Sequence, residues 1–395
     1  MNHHSLLRPN RFRFAAGALG LALALTAPHS PAAELSSVAS VLVPFVQSNS
    51  LAGAVTLVAS PDKVLDLSAV GYADVAAKKP METGDLFWIA SMSKAMTAAA
   101  LMTLVDEGKV NVNDPVEKYL PEFSGQMLAV EQDQDHVLLK KPRHPITVKN
   151  ILTHTSGLPF KSRVEGARLD TLPLREAVMS YALTPLQFEP DSKYSYSNAG
   201  INTAGRIIEV ITGKSYEDFM NERLFRPLGM RNTTFWPTPR QLARLAKSYK
   251  PSAAKTDLEE TTIEQLTYPL SDHRNRFPMP AGGLFSTAED VARFCQMLLN
   301  NGTLNGQRIL SPAAVQQMTS KQTGSLVETS YGFGLSVANP PGTGYGHGGA
   351  YSTDMWINTQ KQLITVFMVQ HNGFLGNGGK SDGVFKEAAL AAFGH

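Results

Sequence analysis

Strand-like runs lie near both ends of this chain, with mostly helical or irregular sequence between them, and that arrangement narrows the architectures open to it. Residues 54–59 and 64–70 are short apolar runs rich in Val, Leu and Ala, separated by a turn at Pro61-Asp62. Residues 72–79 read as an edge strand or loop. Near the other end, 331–337, 351–358 and 363–370 form a second set joined by short connections. Short links between consecutive strands require antiparallel pairing. The expected class is therefore α/β of the α+β type, an antiparallel sheet flanked by helices. Its α/β lobe would be built from residues 34–108 and 285–395, with a mainly helical lobe over 109–284 inserted between them. Helices are expected at 39–48, 91–108, 147–152, 201–212, 216–224, 287–300, 312–319 and 385–393. Thr287 with Asp290 reads as a cap for the sixth of these. Two stretches, 126–143 and 247–280, are polar with no clear period. The first reads as a surface insertion and the second as an arch over a cleft.

The first 33 residues contain three arginines and no acid, an apolar run over 14–27, and then small residues at Ala27, Ser30, Ala32 and Ala33. This is the pattern of a secretory signal peptide, with cleavage between Ala27 and Ala33. The apolar run is short for a membrane span, and no cysteine lies near it to take a lipid. The mature chain, 34–395, is thus expected to be periplasmic or secreted with no stable membrane anchor. The leader also carries the basic excess: 36 basic against 34 acidic residues in the full chain become 33 against 34 without its three arginines. No nucleic-acid partner is implied. The chain has one cysteine, Cys295, so no intrachain disulfide can form, and its apolar setting reads as a buried small hydrophobe.

Chemistry concentrates on Ser91-Met-Ser-Lys94. Positions i and i+3 share a helix face, so the Lys94 amine can lie beside the Ser91 hydroxyl and take its proton. The positive end of the helix favours a developing oxyanion there. The same S-x-x-K spacing occurs at Ser60 and Ser252, but those copies sit in a turn and in a polar stretch. Only Ser91 opens a helical apolar run. The bland alternative makes Ser91 a simple helix cap and sends Lys94 to solvent. Tyr196-Ser-Asn198 is the only Y-x-N in the chain. A tyrosine there can relay a proton, and the amide can hold a substrate carbonyl or the lysine. The alternative is a packed tyrosine with Asn198 as the helix cap. The stretch around Tyr345-Gly-His347-Gly348-Gly349-Ala350 fits a dinucleotide glycine pattern from Gly344 to Gly349, but a strand follows it where that motif needs a helix. It reads instead as backbone passing close to a ligand, able to supply an N–H to an oxyanion hole, with His347 pointing at substrate. H-E-x-x-H is absent from the sequence.

Taken together, Ser91-x-x-Lys94, Tyr196-x-Asn198 and His347-Gly348-Gly349 resemble the motifs of the serine hydrolases related to class C β-lactamases. That superfamily includes D-alanyl-D-alanine carboxypeptidases, D-aminopeptidases and S-x-x-K carboxylesterases. Residues 151–158, 227–230, 282–286 and 331–335 are similar to family stretches as well. The resemblance implies a β-lactamase/transpeptidase-like fold and an acyl-enzyme on Ser91, with no metal and no cofactor. Lys94 and Tyr196 would share acid/base duty. The N–H groups of Ser91 and Ala350 would form the oxyanion hole, and Asn198, His347, Gly348 and Gly349 would contact substrate. Which of Lys94 and Tyr196 is the base stays open at this point.

One departure matters. Where β-lactamases carry Lys-Thr-Gly, this chain has His347-Gly348-Gly349. A histidine, only partly charged at neutral pH, and a missing hydroxyl should weaken recognition of a substrate carboxylate. The leading expectation is a carboxylesterase-like hydrolase of small-molecule esters. The runner-up is peptidase or β-lactamase action on D-alanyl cell-wall peptides or β-lactams. A non-hydrolytic penicillin-binding sensor is the third.

Overall fold

In the computed structural model, which describes residues 37–394, the runs from the two ends of the chain meet in one seven-stranded sheet. The early part supplies β1 (Gly53–Ala59), β2 (Val64–Asp74) and β3 (Lys79–Pro80). The late part supplies β4 (Ser336–Val337), β5 (Gly344–Gly348), β6 (Asp354–Asn358) and β7 (Leu363–Met368). The spatial order is β4-β5-β6-β7-β1-β2-β3, and each pairing is antiparallel. The seam between the two sets is β1 against β7, with Val55 opposite Met368 and Leu57 opposite Val366. Both strands are buried at every residue, because both faces of the sheet are covered.

Four helices matter most: α1 (Ser93–Asp106), α2 (Asn198–Thr212), α3 (Ala288–Leu299) and α4 (Ser381–Phe393). On one face, α3 packs on β1, β6 and β7, in a core that continues through α1 and α2. Thr287 caps α3 by accepting from the Asp290 N–H. On the other face, Phe385 and Ala389 of α4 pack with Val38, Leu42, Val58 and Phe367. Cys295 is buried in the first core, and burial pushes its thiol well up, as expected of a residue that serves only as packing.

Several elements differ from the sequence expectation. The helix expected at 39–48 is two short helices, Ser37–Ser40 and Val43–Gln47; Pro44 lacks an amide hydrogen and fits only a first turn, so a new helix starts there. The insertion at 126–143 is a hairpin, Leu128–Gln132 against Val137–Lys140. Its far end is solvated on both faces, so no apolar period betrays it. The arch at 247–280 begins with a ribbon, Ser248–Pro251 against Leu258–Thr261. The region 109–284 therefore mixes helices with two hairpins. The glycine segment before the late strands is itself β5. A Cβ at Gly346 would lie 2.2 Å from the Met355 carbonyl oxygen, so only glycine lets β5 approach β6. The expected signal peptide lies outside the described residues. Among the described residues, no helix is long and apolar enough to cross a membrane.

Candidate active site

Ser91 sits in a single 3₁₀ turn, Ala90–Met92, and α1 begins at Ser93. The turn is held from three sides. Phe87–Trp88 pairs with Phe285–Ser286, the Trp88 indole donates to the Gly282 carbonyl at 2.7 Å, and Ser93 Oγ donates to the Ala90 carbonyl at 2.6 Å. Ala90 has φ of +44°, a left-handed value that costs a side-chain-bearing residue energy and persists where its surroundings fix it. The sequence pattern suggests an apolar stripe on α1. In the fold, every residue from Ser93 to Leu104 is buried, so Lys94 has no path to solvent. Its Nζ lies 3.1 Å from Ser91 Oγ and donates to the Ala281 carbonyl at 2.6 Å. Among the described residues no carboxylate pairs with it, and burial holds the amine well below its ordinary range. By contrast, Ser60 is in an exposed turn and donates to Asp62 at 2.6 Å.

Tyr196 and Asn198 reach the same place from the start of α2. Ser197, not Asn198, is the cap: its Oγ accepts from the Gly200 N–H at 3.1 Å. That leaves Asn198 as the first helical residue, lining the cleft, with its buried Oδ1 unpaired among the described residues. The Tyr196 ring lies 4.7 Å from Lys94 Nζ. Burial pushes the Tyr196 phenol up, and its hydrogen bond with Ser91 offsets only part of that rise. A neighbouring cation does not lower the tyrosine here. Burial disfavours both charged forms, so the lysine loses its proton more easily and the tyrosine keeps its own.

The cleft in front of Ser91 has a volume of about 270 Å³. Gly348, Gly349 and Ala350 form one edge, and Trp88, Phe160, Leu169 and Met279 supply apolar walls. Its polar side chains are Ser91, Tyr196, Asn198 and Gln265; no charged side chain lines it among the described residues. Gly349 is tightly constrained: a Cβ there would lie 2.1 Å from Thr353 Oγ1 and 2.7 Å from the Ile89 carbonyl oxygen. Gly348 has room, its nearest such neighbour being 3.6 Å away.

His347 does not point at the cleft. It is buried behind it, with Nδ1 2.7 Å from the Gly348 carbonyl oxygen and Nε2 3.0 Å from the Tyr331 hydroxyl and 3.5 Å from the Tyr196 hydroxyl. Burial, with Lys94 nearby, lowers it to about 4, so the ring is neutral at pH 7 rather than partly charged.

Residues 38–384 match the β-lactamase family model. The chain belongs to the β-lactamase family. It is 31% identical over 275 residues to penicillin-binding protein 4 of Amycolatopsis lactamdurans, covering 68% of this chain and 67% of that one. It is 28% identical over 299 residues to lovastatin esterase of Penicillium rubens, covering 69% and 71%. The structure of EstCE1, described as a hydrolase with promiscuous acyltransferase activity, superposes with a TM-score of 0.73 at 25% identity over 89% of this chain and 96% of that one. The protein is thus a serine hydrolase of the β-lactamase fold.

The β-lactamase-family site also contains residues that sequence reasoning gave no role. His154 and Tyr331 lie in stretches similar to the family, and their rings pack beside Tyr196 and His347. The Ala281 carbonyl anchors the lysine, and Asn202 Oδ1 fixes that residue by accepting its N–H at 3.0 Å. Leu169, Gln265 and Met279 come from segments without any local motif. They are brought to the cleft by a buried ion pair, Arg276 Nε to Asp170 Oδ2 at 2.6 Å. Thr267 donates to Asp170 through both its N–H and its hydroxyl, each at 2.9 Å.

Proposed function

We propose that this protein is an exported, carboxylesterase-like hydrolase of uncharged, mainly apolar esters, with the leader over 1–33 removed on export. The observation that carries the reading is the cleft itself: a serine, with a deprotonatable lysine buried beside it, faces a space whose walls carry no charge. A substrate carboxylate entering it would lose water and gain no cation. Lovastatin esterase among the relatives points the same way.

In the proposed mechanism, neutral Lys94 takes the Ser91 proton as Oγ bonds to the ester carbonyl carbon. The resulting oxyanion is met by the N–H groups of Ser91 and Ala350. Tyr196 gives its proton to the departing alkoxide as the C–O bond breaks, and the Lys94 ammonium restores it. Water then attacks the acyl carbon and gives one proton to the same pair, which returns it to Ser91 Oγ as the acyl C–O bond breaks and the acid leaves. Asn198 orients the acyl group.

A second reading, an amide or peptide substrate such as a D-alanyl peptide or a β-lactam, rests on Asn198. Its side chain lines the cleft, and its buried Oδ1, unpaired among the described residues, has a lone pair for an N–H, which a simple ester does not offer. Penicillin-binding protein 4 among the relatives favours it. The deciding experiment is p-nitrophenyl butyrate turnover alongside intact-mass analysis after incubation with a β-lactam. Rapid ester turnover, abolished in Ser91→Ala, with no stable adduct supports the esterase reading. A lasting adduct on Ser91 with weak ester turnover would replace it with the peptidase reading.

A further inference from the structure

Behind Tyr196 lies a closed chain of hydrogen bonds whose directions are all determined. The Ser197 N–H can only donate, so His154 Nδ1, at 3.1 Å, must be bare. The Gly348 carbonyl can only accept, so His347 Nδ1, at 2.7 Å, must carry a hydrogen. Both rings are buried, and burial with Lys94 close by disfavours their charged forms. Each neutral ring then has one choice left. His154 presents Nε2–H to the Tyr331 oxygen at 3.3 Å. His347 presents a bare Nε2, and the Tyr331 hydroxyl donates to it at 3.0 Å.

We propose that Tyr331 and His154 are positioning residues for Tyr196, acting by keeping the Nε2 lone pair of His347 occupied. Tyr196 Oη is 3.5 Å from the same nitrogen. With that lone pair taken by Tyr331, the Tyr196 hydrogen stays with Ser91 and the leaving group. Without the Tyr331 hydroxyl, His347 becomes a free acceptor and draws the Tyr196 O–H away from the serine. The arrangement also explains how histidine serves at a position where a lysine ammonium would leave no acceptor. The groups facing the two rings are Lys94, Tyr194, Tyr196 and Tyr331. This inference rests on the Ser91–Lys94–Tyr196 reading above, but its first readout does not need turnover.

The test is ¹⁵N NMR of the full chain labelled at histidine, with His347→Gln and His154→Gln assigning the two rings. At pH 7 the wild type is expected to show His347 protonated at Nδ1 only and His154 at Nε2 only. Tyr331→Phe is expected to shift both rings, to let His347 take up a proton at higher pH, and to lower kcat for an ester by about ten- to a hundredfold with KM changed less than about threefold. Opposite tautomers in the wild type, or a Tyr331→Phe protein with both rings unmoved, would overturn the inference. If Tyr331→Phe does not fold, the wild-type tautomers decide alone. If ester turnover persists in Ser91→Ala, the mechanism fails while the tautomer result stands apart from it.

Discussion

Lys94→Met probes the buried amine directly, because methionine has similar length and no charge. The amine is fully buried, with no carboxylate partner among the described residues. Each tenfold loss of proton affinity on folding costs about 1.4 kcal/mol wherever the unfolded chain is protonated. Against that stand hydrogen bonds to Ser91 and Ala281, which contribute about 1 kcal/mol each. Burial of the amine without a counter-charge works against both bonds, so the variant should be at least as stable as the wild type at neutral pH. Its ester turnover should fall by about 10²- to 10⁴-fold, as for loss of a general base. The pH dependence is sharper. The unfolded amine titrates near about 10.4, and the folded one well below its ordinary value. Between those two values the unfolded state binds the extra proton. Wild-type stability therefore gains on the variant by about 1.4 kcal/mol for each unit rise in pH across that window. Urea unfolding of both proteins from about pH 7 to about pH 9 reads this difference. A stability gap that stays constant over that range would mean that Lys94 is charged in the folded protein, and the reasoning would fail.

Gly349→Ala should destabilise the fold by about 1–3 kcal/mol through overpacking against Thr353 and Ile89, whereas Gly348→Ala should cost less than about 0.5 kcal/mol; urea midpoints compare them. Asp170→Asn leaves the Arg276 guanidinium buried without its partner and should cost about 3–5 kcal/mol, seen as a lowered melting temperature. The pH profile of ester kcat/KM should have an acid limb well under the lysine range, because burial depresses Lys94; a limb near about 10 would instead report an unperturbed lysine or tyrosine.

The parts of the fold that were legible in sequence are those that local chemistry determines. β1 and β7 are apolar runs broken only by Thr56 and Thr365 because both sheet faces are covered, and Ser91 and Lys94 are adjacent because helical turns put them there. Burial is not local. Nothing in the spacing of α1 says that packing closes over Lys94 on every side, and that closure sets its chemistry. His347 reads as a half-charged residue until burial, with Lys94 brought close from far away in sequence, keeps its ring neutral. The cleft walls at Leu169, Gln265 and Met279 depend on an ion pair between residues 106 positions apart. The hairpin at 128–140 escaped notice because a ribbon wet on both sides has no pattern to read.

The seam of the sheet has a consequence for how this enzyme comes into being. β1 emerges early in synthesis but has to wait for β7 before its second edge is paired. Lys94 waits likewise for Ala281, and the Ser91 turn for Phe285–Ser286. Contacts so distant along the chain make folding slow, because loop closure comes before any reward. A growing chain therefore carries its serine and lysine unassembled until most of its length has been made. Reactivity arrives late, once the distant segments that meet around Ser91 have all been made.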